Sequence, residues 1–134
     1  MKLNITIITQ NLYLEGVVNQ LLIKSNLKQV SINKKLTPYI LLITDLPEIH
    51  DNLMELLYQT KFKIIADFSN PQINSLLTFY QKNKLKRNHP DIIDYSKTKL
   101  NFPIKSDLTK SNAAAIVQLG LALDINPSLI IETL

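Results

Sequence analysis

The stretch Tyr39-Ile40-Leu41-Leu42-Ile43-Thr44 decides the fold, because it is continuously apolar up to Thr44 and follows directly on Pro38. A strand with one solvated face alternates apolar and polar residues, whereas a strand covered on both faces is apolar along its length. We therefore predict a central strand of a parallel sheet with helices on both faces. Asp45 follows at the carboxyl end of this strand, where open α/β sheets place their ligands.

Strands and helices alternate on both sides of this stretch. The β-branched residues near the amino terminus predict a first strand over Leu3–Thr9. Asn11 is placed to cap a helix over Leu12–Lys24. Asn70-Pro71 combines a capping residue with proline at the first helical position and predicts another helix start. The remaining predicted elements are strands over Lys28–Ile32, Phe62–Ala66 and Ile92–Tyr95, and helices over Glu48–Gln59, from Asp107 or Thr109 to Leu123, and over Ser128–Leu134. This order predicts one domain over residues 1–134, a doubly wound α/β fold with a mainly parallel sheet flanked by helices and a helical carboxyl end.

Composition limits the class of protein. The chain has 134 residues, 46% of them hydrophobic and 19% charged, which is the balance of a globular domain. It contains no cysteine, so disulfides, cysteine-ligated zinc and cysteine nucleophiles are excluded. Asn4 and Thr6 interrupt the apolar amino terminus, which therefore fails as a signal peptide, and no apolar run approaches the roughly 20 residues that cross a bilayer. We expect a soluble, cytoplasmic protein without membrane association.

The sequence offers no recognisable catalytic apparatus. Gly16 and Gly120 are the only glycines, so neither a Walker phosphate loop nor a G-x-G-x-x-G dinucleotide motif can be formed. His50 and His89 lack metal-binding partners at helical spacing, and we interpret them as surface residues. Asp45 is the first candidate for a ligand contact, with capping of the following helix as the alternative. We predict no enzyme activity, no metal site and no cofactor.

Positive charge is concentrated between residues 82 and 89. The net charge is +4, and much of it comes from Lys82, Lys84, Lys86 and Arg87. These cations follow the helix that starts at Pro71, and the helix dipole favours cations at a carboxyl end. A solvated helix end is therefore one interpretation of this basic run, and contact with the phosphates of a nucleic acid is the other.

Three segments carry a resemblance to a known family. Ile5–Thr9 followed by Leu12–Leu22, together with Pro38–Asp45, is similar to the receiver domains of two-component response regulators, nearest to the LuxR-type group. The resemblance covers about Leu3–Lys97. It implies a receiver-like or flavodoxin-like fold with its site at the carboxyl ends of the strands.

The chain departs from the receiver family at the chemically important positions. The family binds magnesium through an acidic pair after the first strand, and this chain has Gln10 and Asn11 there, which bring no charge to a hard cation. The phosphate-accepting position matches Thr44 or Asp45, and only Asp45 is an aspartate. The matches to the family's hydroxyl after the fourth strand and lysine after the fifth are Ser69 and Lys97. The resemblance therefore implies a degenerate receiver, used as a binding surface rather than for phosphotransfer.

The carboxyl-terminal segment resembles two other kinds of domain. Leu108–Leu134 is similar to the opening of a LuxR-type helix-turn-helix domain, but the sequence ends where the recognition helix would begin. Asn112–Ile116 with Leu121–Pro127 is similar to the helix pair that closes the central domain of Mur-type ATP-dependent ligases, without their glycine-rich phosphate loop. Alanine-rich helix pairs are also common packing units, so coincidence is the alternative to a ligase remnant.

The last predicted helix carries more apolar residues than one neighbour can cover, namely Leu129, Ile130, Ile131 and Leu134. One side can pack on the alanine-rich helix before it, and the other side would form an exposed apolar patch. We expect this helix to contribute to a homodimer or to docking on a protein partner. A cap that is fully intramolecular is the alternative.

These observations support one leading hypothesis and two alternatives. The leading hypothesis is a non-enzymatic regulatory or scaffolding module that acts through protein–protein contacts, receiver-like but without normal phosphorylation. The first alternative is a nucleic-acid-associated transcriptional regulator that uses the basic run over residues 82–89. The second is a remnant of a Mur-type ligase domain, or another small-molecule site at the strand ends.

Overall fold

Five parallel strands form one sheet in the computed structural model, which describes residues 3–27, 29–33, 37–46, 52–83 and 90–134. The strands are β1 (Leu3–Ile8), β2 (Val30–Ile32), β3 (Ile40–Ile43), β4 (Lys63–Ala66) and β5 (Asp91–Asp94). Their order across the sheet is β2-β1-β3-β4-β5, and every neighbouring pair is parallel. This is the order of flavodoxin-like sheets, and it confirms the predicted doubly wound α/β fold.

Helices cover both faces of the sheet. They are α1 (Leu12–Lys24), α2 (Leu53–Gln59), α3 (Pro71–Asn83), α4 (Lys110–Ala122) and α5 (Pro127–Thr133), with a short 3-10 turn at Tyr95–Lys97. The core on one face contains buried residues of α1, α4 and α5, and the core on the other face contains those of α2 and α3. All four residues of β3 are buried, as the continuously apolar stretch predicts. No helix within the described ranges has the length and apolar character needed to cross a membrane.

Four of the helices begin at side-chain caps. The Asn11 side chain accepts a hydrogen bond from the Tyr13 amide at 3.0 Å, and the Asn70 side chain accepts from the Gln72 amide at 3.0 Å. Both predicted caps are confirmed. The caps of α4 and α5 are Thr109 and Asn126. Each accepted bond satisfies one of the amides that a helix start leaves without an intrahelical partner.

The ends of α1 and α4 share one motif. Asn26 and Asp124 follow these helices with φ of 57° and 58°, and the next residue in each case donates its amide back to a carbonyl five residues earlier. For α4 this bond joins the Ile125 amide to the Gly120 carbonyl at 3.0 Å. The pattern is a Schellman motif, in which a left-handed residue ends the helix and satisfies its last carbonyls.

Helix α5 packs on α4 at Gly120. A Cβ atom at Gly120 would lie 2.5 Å from the Ile130 Cδ1 atom, so only glycine admits this approach without a shift. Ile130 and Leu134 are each 2% exposed and belong to the core under α1 and α4, and Leu129 packs against the same core. The prediction that Ile130 and Leu134 form an external interface is therefore wrong, because α4 and its neighbours already cover them. Ile131 remains 46% exposed.

Candidate functional site

The carboxyl ends of β1, β3, β4 and β5 meet at one edge of the sheet. Because the strands are parallel and their register is continuous from Ile8 through Ile43 and Ala66 to Asp94, the loops that follow them are neighbours. This edge is where doubly wound folds place ligands, and the order reverses between β1 and β3. Two parts of the edge differ in character: the β1–β3 crevice and a cleft beyond β5.

Hydrogen bonds join the two loops of the β1–β3 crevice. The Gln10 backbone amide donates to a carboxylate oxygen of Asp45, and the Gln10 side-chain amide donates to the Leu46 carbonyl at 2.7 Å. The Thr44 hydroxyl donates to the Thr9 hydroxyl at 2.6 Å. The structure thus brings together Gln10, Thr44 and Asp45, three of the predicted site residues, and uses all three to join two loops.

Asn11 also has a structural role in this crevice. Its side chain caps α1, and its backbone amide donates to the Thr9 hydroxyl at 3.1 Å. The backbone and side-chain amides of Gln10 and Asn11, at the positions where receivers carry acids, are therefore hydrogen-bonded to the backbone or to neighbouring side chains. Whether Asp45 also caps the next helix concerns residues 47–51, which lie outside the described residues.

Two identical turns follow β4 and β5. In the tripeptides Asp67–Ser69 and Asp94–Ser96, the aspartate accepts both the backbone amide and the hydroxyl of the serine two residues later. Asp94 also accepts the Phe68 amide at 3.1 Å, which ties the two turns together. An aspartate that bonds to the chain two residues on stabilises a turn at a strand end. This pair of Asp-aromatic-Ser turns is a sequence repeat that periodicity does not detect.

The hydrogen bonds at Asp94 change its acidity. Partial burial acts to raise the pKa of this carboxyl, but the Ser96 hydroxyl, the amides of Phe68 and Ser96, and the charge of Lys97 together lower it. Hydrogen bonds to the charged form stabilise that form. Asp94 is therefore held as an anion with its bonds directed into the turns.

A cleft of about 890 Å³ opens between the carboxyl end of β5 and the start of α4, and we call it the β5–α4 cleft. Its polar lining consists of Ser69, Tyr95, Ser96, Thr98, Lys99, Lys110 and Ser111, and its apolar lining consists of Leu100, Phe102, Pro103, Ile104, Leu108 and Ala114. Sites for small molecules have volumes of roughly 300 to 1,000 Å³ and combine an apolar wall with a few polar groups. The β5–α4 cleft meets both conditions.

Tyr95 lines this cleft and is fully buried, and within the described part of the chain its hydroxyl oxygen has no hydrogen-bond partner. Burial is the largest cause that raises the pKa of Tyr95, and the negative charge of Asp67 is the second. The charges of Asp45 and Asp94 have smaller effects in the same direction. The nearby Ser111 hydroxyl lowers the pKa of Tyr95, but its position lies outside the geometry of an ordinary hydrogen bond. Tyr95 is thus a neutral hydroxyl that is able to donate and has nothing to donate to.

The other predicted site residues are dispersed. Ser69 lines the β5–α4 cleft, and Lys97 lies beside it at the end of the 3-10 turn, so neither belongs to the β1–β3 crevice. Lys82 is exposed in the last turn of α3. The predictions for Lys84, Lys86, Arg87, His50 and His89 fall on residues 84–89 and 47–51, outside the described residues.

Sequence reasoning missed the principal residues of the cleft, which are Tyr95, Thr98, Lys99, Lys110 and Ser111. The repeated Asp-aromatic-Ser tripeptide was the available signal, because it marks the two strand ends beside the cleft. Across the described part of the chain, no three His, Cys, Asp or Glu side chains are grouped so that they could hold a metal ion.

Comparisons with family models, with curated proteins and with solved structures gave no match to this chain.

Proposed function

We propose that this protein is a non-enzymatic regulatory or scaffolding module of receiver-like fold, which acts through protein contacts and without phosphorylation. The observation that supports this most directly is the hydrogen bonding across the β1–β3 crevice, where the Asp45 carboxylate accepts the Gln10 backbone amide. Thr44 and Asp45, the two residues that the resemblance matches to the phosphate-accepting position, both take part in hydrogen bonds that link two loops.

The chemistry of the crevice supports the same proposal. Transfer of a phosphoryl group to a carboxylate is helped by a divalent cation that neutralises the developing charge, and Mg²⁺ prefers carboxylate and phosphate oxygens. Gln10 and Asn11 supply neutral amides at this position, and both already serve the Leu46 carbonyl and the cap of α1. The Gln10 amide occupies one carboxylate oxygen of Asp45, and neither Gln10 nor Asn11 supplies a negative charge that would hold a cation beside a phosphoryl group on Asp45.

The surface of α5 supports the role of protein contacts. Ile131 on α5 and Leu121 on α4 are each 46% exposed, on two helices that pack against one another. A large apolar side chain exposed on a short helix gains free energy when a partner covers it. We propose that a second copy of this chain contacts the protein through Ile131.

Phosphorylation is tested with acetyl phosphate and with beryllofluoride, each in the presence of Mg²⁺, followed by intact-mass analysis. The native protein should remain unmodified, while a conventional receiver treated in parallel shows that the reagents are active. A stoichiometric adduct on the native protein that is absent from an Asp45→Asn variant would overturn the proposal.

Self-association is tested by sedimentation over a range of concentrations. The native protein should associate, and Ile131→Glu should shift the equilibrium to the monomer because a charge cannot be buried in an apolar contact without a large cost. Leu12→Glu is the control for an added surface charge, since Leu12 is 85% exposed at the start of α1. A native protein that stays monomeric, with Ile131→Glu equally stable, contradicts the proposed contact.

A further inference from the structure

The β5–α4 cleft contains more hydrogen-bond donors than the fold uses. Ser69 and Ser96 donate their hydroxyl protons to Asp67 and Asp94, so they are already committed. The Thr98 hydroxyl accepts from the Gln118 side chain at 3.0 Å and keeps its own proton for another partner. The buried Tyr95 hydroxyl has no hydrogen-bond partner among the described residues. A buried donor that is left unsatisfied carries a cost in stability that a bound acceptor would remove.

Positive charge lies at the α4 end of the β5–α4 cleft, whereas the carboxylates that act on Tyr95, those of Asp67, Asp45 and Asp94, lie at the strand ends. Lys99 and Lys110 line the cleft, and none of its described lining residues is Asp or Glu. Lys110 and Ser111 are also the first two residues of α4, a helix of 13 residues. The first amides of a helix have no partner within the helix, and its dipole is positive at that end. The Thr109 cap accepts the third of these amides, from Asn112, at 3.1 Å.

The opposite wall of the cleft is apolar and irregular in structure. Residues 98–109 form no helix or strand, and Leu100, Phe102 and Ile104 from this segment line the cleft and pack against the core. A cleft of about 890 Å³ is far larger than an inorganic anion requires. The ligand therefore needs an apolar body as well as a charged group.

We propose that the β5–α4 cleft binds a small organic anion, a phosphate or carboxylate carried on an apolar or aromatic body. The anionic group lies at the start of α4 against Lys110 and Ser111 and accepts a hydrogen bond from Tyr95. The apolar body lies against Leu100, Phe102 and Ile104. Gln10, Asn11, Thr44 and Asp45 do not line this cleft, so the phosphorylation test and the ligand test probe different residues.

The test is a titration of the isotope-labelled intact protein with four probes, followed by amide chemical shifts. The probes are phenyl phosphate, benzoate, inorganic phosphate and the neutral compound benzyl alcohol. Phenyl phosphate or benzoate should produce saturable shifts confined to residues 95–114 and should bind more tightly than inorganic phosphate and benzyl alcohol. The stronger of the two aromatic anions then identifies the charged group.

Variants distinguish the proposed contacts from general electrostatic attraction. Tyr95→Phe and Lys110→Gln should each weaken the best probe about tenfold or more, because each removes a hydrogen bond to a charged group. Ser106→Ala is the matched control, since the Ser106 hydroxyl also lacks a partner but does not line the cleft. Unchanged affinity in a folded Tyr95→Phe variant, or shifts spread over distant lysines, would overturn the proposal, as would equal binding of inorganic phosphate.

Discussion

Replacing Tyr95 by phenylalanine should stabilise the protein in the absence of ligand. The substitution keeps the ring in the core and removes only a hydroxyl that is buried without a partner. A buried polar group left unsatisfied costs about 1 to 3 kcal/mol, so its removal should raise the free energy of unfolding by about 1 kcal/mol or more. For a domain of 134 residues this corresponds to a rise in Tm of roughly 4 °C.

The extra stability of the Tyr95→Phe variant should increase at alkaline pH. Because burial raises the pKa of Tyr95, this residue stays neutral in the folded protein when a free tyrosine in the unfolded chain ionises, at a pH of about 10. The unfolded state then binds fewer protons than the folded state, and the native protein loses stability as the pH rises further. The Phe variant lacks this loss, so its advantage should widen above a pH of about 10.

Urea unfolding of both proteins at neutral and alkaline pH measures these differences. Tyr80→Phe is the control for the loss of a tyrosine hydroxyl, because Tyr80 is also buried but belongs to the core on the opposite face of the sheet. If Tyr95→Phe destabilises the protein at neutral pH, the hydroxyl makes a hydrogen bond in solution, and the argument from an unsatisfied donor is refuted.

Three further predictions concern stability. Gly16→Ala should raise the free energy of unfolding by up to about 1 kcal/mol, because a Cβ atom at this position meets nothing within 4 Å. Gly120→Ala should lower the free energy of unfolding, because its Cβ atom would clash with Ile130. Denaturant midpoints that move in the same direction for both variants would contradict this pair of predictions. Asp94→Asn should lower the free energy of unfolding at neutral pH and make it fall less steeply as the pH is lowered. A carboxyl whose pKa is lowered on folding contributes stability above its unfolded pKa, and that contribution is lost as the pH falls. If the stability of the variant and of the native protein fell in parallel with acid, the prediction would be wrong. Asp124→Gly should raise Tm by a few degrees, because glycine adopts the positive φ of 58° at no steric cost. An unchanged Tm in calorimetry would show that the left-handed conformation of Asp124 carries no net cost in the native protein.

Much of the fold could be predicted from local patterns. The apolar stretch before Asp45 predicted the central strand because burial on both faces leaves a direct trace in composition. Asn70-Pro71 predicted the start of α3 because capping involves only neighbouring residues. Such features depend on side chains close together in the sequence, and they were confirmed.

The site and the exposure of α5 could not be predicted in this way. The β5–α4 cleft depends on the path of residues 98–109, which has no periodicity and is determined by contacts with distant parts of the chain. Likewise, the apolar pattern of the last helix predicted packing on the alanine-rich helix on one side and an exposed patch on the other, but it did not tell which residues lie on which side. Ile130 is covered within the same chain because Gly120, ten residues earlier, has no side chain.

The Leu134 carbonyl accepts hydrogen bonds from the amides of Lys105 and Ser106, at 2.8 and 2.9 Å, and so fastens the irregular wall of the cleft to the end of α5. The width of the cleft is therefore tied to the position of a helix whose other side carries Ile131. Any displacement of α5 must either carry residues 105 and 106 with it or break both bonds. Occupancy of the cleft and contacts at α5 would then be thermodynamically linked, and by reciprocity each would change the affinity of the other by the same factor.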